Sequence, residues 1–151
     1  MNTLQQDLTL GLTAERTRQQ TFESTFGSLT KTGTFDSFDY KNNKFFVEHK
    51  ERPDTYFGQY CTCYFDKVKY QEYLRLKRLY PTHRFVIIWT LKGESFFWEF
   101  TEIDEDKDGW VTWNYTERRM DRRKGQGMQS QEMVEVFNSA IRPLSTFRWS
   151  V

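Results

Sequence analysis

The alternation of apolar and polar positions divides the chain into elements. Residues 12–27, LTAERTRQQTFESTFG, have helix-forming composition, with Leu12, Phe22 and Phe26 on an apolar side, Thr13 placed to cap and Gly27 to stop. Short strands follow: SLTKT at 28–32, TFDSFDY at 34–40 and KFFVEHKER at 44–52, the last two joined by Asn42-Asn43 as a β-hairpin. DKVKYQEYLRLKRLY, residues 66–80, is the clearest helix, with Asp66 as its cap and Pro81 just past its end. The near-continuous apolar run HRFVIIWTL, residues 83–91, has the character of a central strand buried on both faces. ESFFWEF and GWVTWNY alternate and predict a second hairpin across the acidic 101–109 stretch, and SQEMVEVFNSAIR, residues 130–142, places Met133, Val136, Phe137 and Ile141 at helical spacing. This order predicts an α/β fold in one domain. A mixed central sheet flanked by helices forms a core over about 10–91, and a C-terminal β-hairpin and helix extend it over about 92–151.

Charge and composition narrow the picture only partly. Lys and Arg number 22 against 21 Asp and Glu, so the net charge of +1 points to neither a nucleic-acid coat nor an acidic tail, and the placement of charges matters more than their sum. Aromatic residues make up 18% of a chain that is only 37% hydrophobic, so Phe and Tyr must supply much of the core. No run approaches the roughly 18 apolar residues of a membrane helix, and MNTLQQDLTLGL lacks the basic and apolar regions of a secretory signal. The expectation is a soluble, unsecreted, cytoplasmic protein. Cys61 and Cys63 would point to opposite faces of a strand, and are read as thiols in a reducing compartment.

Candidate chemistry gathers at the end of the first hairpin. A two-residue Asn42-Asn43 loop pairs Lys41 with Lys44, which sets Ser37 opposite Glu48 and Asp36 opposite His49. Cross-strand neighbours lie about 5 Å apart, so a bulge or twist that shifts the register by one brings Asp36 and Glu48 together. Asp39 falls opposite Phe46 in this register and is set aside. Two carboxylates so close repel unless a cation lies between them, and Mg²⁺ or Mn²⁺ prefers such oxygen donors. Lys50, two residues past Glu48, projects on the same face, where it can position or deprotonate a water.

Asp36 followed, after eleven residues, by Glu48-His49-Lys50 resembles the PD-(D/E)XK nuclease superfamily, although Phe35 stands where the family has proline. The resemblance implies a restriction-endonuclease-like core of helix, three-strand meander, second helix and further strand, which the element order from about residue 10 to 91 is similar to. It implies Asp36 and Glu48 as metal ligands, His49 as a backbone ligand and Lys50 as the catalytic amine. Gly11 and Glu15 match the G-x-x-x-E at the first helix of resolvase-like members, making Glu15 a further metal candidate, with Glu23 two turns later as its alternative. Lys69 shares a helical face with Tyr73, Leu76 and Tyr80, and is read either as a contributor to the site or as a snorkelling lysine. Arg52, Arg118, Arg119, Arg122 and Arg123 are the expected phosphate contacts, within clusters that elsewhere serve as solvated faces. The function so implied is Mg²⁺- or Mn²⁺-dependent hydrolysis of phosphodiester bonds, with DNA the favoured partner and a homodimer a further option. Such a small nuclease suits a virus, phage or mobile element and would then act in the host cell or virion. The alternative is a non-catalytic nucleic-acid-binding or virion-associated protein on the same scaffold.

Other patterns carry less. DEDKDG at 104–109 matches half of an EF-hand loop, but the twelfth position is Tyr115 rather than a bidentate glutamate, so an acidic hairpin tip is expected. His49 and His83 have no zinc or triad spacing, and no glycine-rich phosphate loop is present.

Overall fold

The computed structural model describes residues 4–33, 36–59, 63–104, 106–109, 113–119 and 127–149, with side chains described outside 4–14 and 113–131. Helix α1, Leu4–Phe26, ends where Gly27 adopts φ 84° and returns its N–H to the Glu23 carbonyl at 2.9 Å. Glycine enters that left-handed conformation without a Cβ clash. Strands β1 (Thr30–Lys31), β2 (Tyr40–Lys41) and β3 (Phe45–Arg52) form an antiparallel meander. Strand β4, Tyr64–Asp66, leads into helix α2, Lys67–Leu79, which starts where the Asp66 carboxylate accepts the Val68 N–H at 2.9 Å. Strand β5, Arg84–Leu91, runs parallel to β3 and turns through Lys92-Gly93, both at positive φ, into antiparallel β6, Glu94–Glu99. Such a two-residue turn matches the right-handed twist of its flanking strands.

Among the described residues the strands make two sheets. The larger is mixed, in the order β1-β2-β3-β5-β6-β9, where β9 is Arg142–Pro143. The smaller is antiparallel, in the order β4-β8-β7, where β7 is Trp113–Arg119 and β8 is Gly127–Glu135. Strand periodicity assigns the large sheet's two faces to different partners. Phe45, Val47, Val86 and Ile88 pack against Phe22 and Phe26 of α1 and against Leu144 and Phe147. Phe46, Phe85, Ile87, Trp89 and Trp98 face the other way, beneath Tyr73 of α2, Phe65 of β4 and Val134 of β8. Double coverage is why β5 reads as an unbroken apolar run. Each large side chain so buried contributes about 1.5–3 kcal/mol before entropy is counted.

Two expectations for the C-terminal part are corrected. Residues 130–142 are no helix: they hold the end of β8, a 3₁₀ turn at Asn138–Ala140 and the start of β9. Nor do 94–100 and 109–115 form a hairpin, because β6 is already flanked by β5 and β9, and β7 joins the smaller sheet. The acidic stretch between them is a turn in which Asp104 Oδ1 accepts the Asp106 N–H and Asp108 Oδ2 accepts the Asp104 N–H. It ends at Gly109, whose φ is 109° and where a Cβ would meet the Glu135 carbonyl oxygen at 2.5 Å, so only glycine lets the chain cross to β8 here.

Candidate active site

The β2–β3 register differs from the expected one, and with it the carboxylate that faces Glu48. Asn42 is a bracket in the structure and not half of the loop: its N–H bonds the Phe45 carbonyl at 3.0 Å, and its side-chain oxygen accepts the N–H groups of Lys44 and Phe45 at 2.9 and 2.8 Å. Its amide also donates to the carbonyls of Phe26 and Ser28, fastening the hairpin to the end of α1. The loop is therefore Asn43-Lys44, and the observed pairs are Lys41 with Phe46 and Tyr40 with Val47. One step further sets Asp39, and not Asp36, opposite Glu48. The change moves every partner by two positions, so each side chain keeps its face.

The register sets Asp39 across from Glu48 on the same face, and Asp39 Oδ2 accepts the His49 N–H at 2.9 Å. Glu48 is only 7% exposed. Lys69, from the first turn of α2, reaches it with Nζ 2.6 Å from Oε2, while its ammonium lies over the Phe38 ring. Lys50 follows on the same face, half-buried, in register with Trp89 of β5. Burial, and then the bond to Asp39, raise the Glu48 carboxyl from 4.5 to about 7 and outweigh the opposing pull of Lys69. The Lys50 ammonium is pushed down, chiefly by burial, although Glu48 nearby acts in the other direction.

His49 places only its main chain here. Its ring alternates to the α1 face, where it lies edge-on to Phe22 and Nε2 is 2.8 Å from the Thr90 hydroxyl. Burial, followed by the charge of Arg18, lowers this imidazole from 6.5 to about 4. Because an extended residue sends N–H and C=O to the same strand edge, the His49 carbonyl faces the edge where Asp39 binds its N–H.

The remaining expected residues lie elsewhere. Asp36 is exposed, accepts the Gly33 N–H at 2.7 Å and lines a neighbouring cleft of about 180 Å³ with Ser37, Glu72 and Arg75. Glu15 is ion-paired with Lys31 at 3.0 Å, and Glu23 accepts the Leu29 N–H at 2.9 Å. Both belong to α1, which covers the face opposite to Glu48, so the expected Glu15 contact is not made. Arg52 stands on the Lys50 face beyond it, its guanidinium over the Tyr64 ring. Arg118 and Arg119 lie on β7, whose side chains are outside the described residues, as are Arg122 and Arg123 altogether. Sequence reasoning set Asp39 aside on the expected register, although Asn42 held the clue: an Asn side chain readily bonds the backbone two residues on.

Among the described residues no group of three or more His, Cys, Asp or Glu side chains gathers to hold a metal. The donors at Glu48 are instead two carboxylates and a main-chain carbonyl, all hard oxygens. Mg²⁺ is typically held in this way, by one or two carboxylates with water and substrate phosphate completing its shell. Comparison with family models, curated proteins and solved structures finds no match to this chain.

Proposed function

We propose that this chain is a divalent-metal-dependent nuclease of the restriction-endonuclease-like type, and that Asp39, Glu48 and Lys50 carry its chemistry. One observation carries the reading: the hairpin register sets Asp39 across from Glu48, with Lys50 on the same face of the same strand as Glu48. The helix, three-strand meander, helix and parallel strand that frame them support the same reading. Asp39 and Glu48, with the His49 carbonyl, would hold Mg²⁺ or Mn²⁺. Such an ion, when bound, supplies Lewis-acid stabilisation of phosphate oxygens and a more acidic water.

The chain's own residues do the rest. Lys50, its ammonium destabilised by burial, is the group placed to take the proton of the attacking water. Lys69 balances the charge of Glu48 and keeps that carboxylate from swinging toward solvent. Phe38 and Trp89 wall the lysines with low-dielectric surface, which strengthens each charge in the site. Purified protein should cut DNA with Mg²⁺ or Mn²⁺, and Lys50→Met should lower the rate by about 10² or more while circular dichroism stays unchanged. Absence of cleavage by the wild type with either metal would remove the enzymatic reading.

Lys69 also favours a second reading. Its ammonium already neutralises Glu48 at 2.6 Å, as would suit a non-catalytic nucleic-acid-binding protein on the same scaffold. Binding unaffected by chelator, with no cleavage, would be its signature.

A further inference from the structure

The face of β3 that carries Glu48 and Lys50 continues to Arg52 and then into a tight turn. Alternate residues along a strand advance by about 6.6 Å, so Lys50 and Arg52 form a line of basic groups leading away from the carboxylates. Glu51, which alternates to the opposite face, is held there by Arg18 at 2.9 Å, so it does not neutralise that line. Beyond Arg52 the chain turns twice. Thr55 N–H bonds the Arg52 carbonyl at 3.2 Å, and Gln59 N–H bonds the Tyr56 carbonyl at 3.1 Å, with Gly58 at φ 83° in the third position of the second turn.

That second turn presents two aromatic rings in different ways. Phe57 stacks on Phe96 of β6, centroids 4.4 Å apart and planes 13° from parallel, which anchors the turn to the core. Tyr56 beside it is 63% exposed, the ammonium of Lys92 standing 5.1 Å from its ring centroid. Lys92 belongs to the β5–β6 turn and holds a φ of 47°, unusual for a residue with a side chain. A largely exposed tyrosine gains little from burial, yet this one is fixed by an anchored turn beside the cation of Lys92, with Arg52 at the start of the preceding turn.

We infer that Tyr56 is a stacking platform for an unpaired nucleotide, with Arg52 and Lys92 holding the adjoining phosphates, so that the site is built for single-stranded nucleic acid. Aromatic faces interleaved with basic side chains are how proteins grip single strands without reading sequence, whereas the bases of a duplex are stacked on one another and offer no free face. The substrate class rests on the nuclease reading, but binding in the absence of metal tests the inference separately from cleavage.

The experiment is fluorescence anisotropy with labelled oligothymidylate, and with a duplex of matched length, in EDTA across a salt titration. Wild type should bind the single strand more tightly than the duplex. Tyr56→Ala should weaken single-strand binding by about ten- to a hundredfold, Tyr56→Phe should restore it, and neither should move duplex binding more than about twofold. Lys92→Gln should lower the slope of log affinity against log salt by about 0.7. Equal loss of both substrates in Tyr56→Ala, unaltered single-strand binding in that variant, or no single-strand binding by wild type would each overturn the inference. Metal-dependent cleavage of duplex alongside any of those results would leave the nuclease reading standing without it.

Discussion

The titrations of two neighbouring residues on β3 shift in opposite senses because burial disfavours the charged form of each, which raises a carboxyl and lowers an imidazole. Glu48 lies near 7 in the folded chain against an ordinary 4.5. Between those values the folded state keeps a proton that the unfolded state has released, so this group's stabilisation is complete below 4.5 and is lost as pH rises through 7. His49, near 4 against 6.5, is held neutral when folded; its contribution is present above 6.5 and is lost as pH falls through 4. From 4.5 to 6.5 the two slopes offset. Glu48→Gln removes one of them, because its amide can donate to Asp39 as the protonated acid does. The stability of this variant relative to wild type should rise by about 2–3 kcal/mol between pH 4.5 and 7, as read from urea melts. A difference that does not change with pH would mean that Glu48 titrates as an ordinary glutamate. Glu48, Lys50 and Lys69 were legible in the sequence, the first two from their shared strand face and the third from an apolar helical stripe. Asp39 was not, because its place depends on hydrogen bonds of the Asn42 side chain.

The hairpin that carries the site shows how one element's register follows from one residue. Adjacent asparagines look equivalent in FDYKNNKFFVEHK, and a loop made of both is the usual reading of such a pair. In the structure Asn42 bonds four backbone groups across the hairpin and the end of α1, whereas Asn43 is exposed at the tip. Asn42→Ala should therefore cost about 2–3 kcal/mol, and Asn43→Ala less than about 0.5 kcal/mol, both from chemical denaturation. Similar costs at the two positions would show that the tip, not the bracket, fixes the register. Element type was legible for α2, β3 and β5, where a cap, an alternation and a continuous apolar run left little choice. It failed at β8: Met133, Val136 and Phe137 fit a helical face, but β4 and β7 together satisfy the backbone of this strand. Pairing across that much sequence leaves no local mark.

At the scale of the molecule, the second sheet explains why Glu48 is buried. Phe65 and Val134 share one core with Trp89, Trp98 and Phe100, so β4 and β8 lie with α2 over the face that carries Glu48 and Lys50. The sequence foretold the central mixed sheet with a helix on each face. It did not foretell that the chain after β6 would build a second sheet, since nothing local in 94–115 records that β9 flanks β6. No helix among the described residues is long and apolar enough to cross a membrane. A nuclease centred on Asp39 and one centred on Asp36 make different demands of this architecture, and one measurement separates them. Cleavage of single-stranded and duplex DNA in Mn²⁺ should be abolished by Asp39→Asn and retained by Asp36→Asn, with both variants folded. Retained activity in Asp39→Asn, or none in the wild-type protein, would contradict the account.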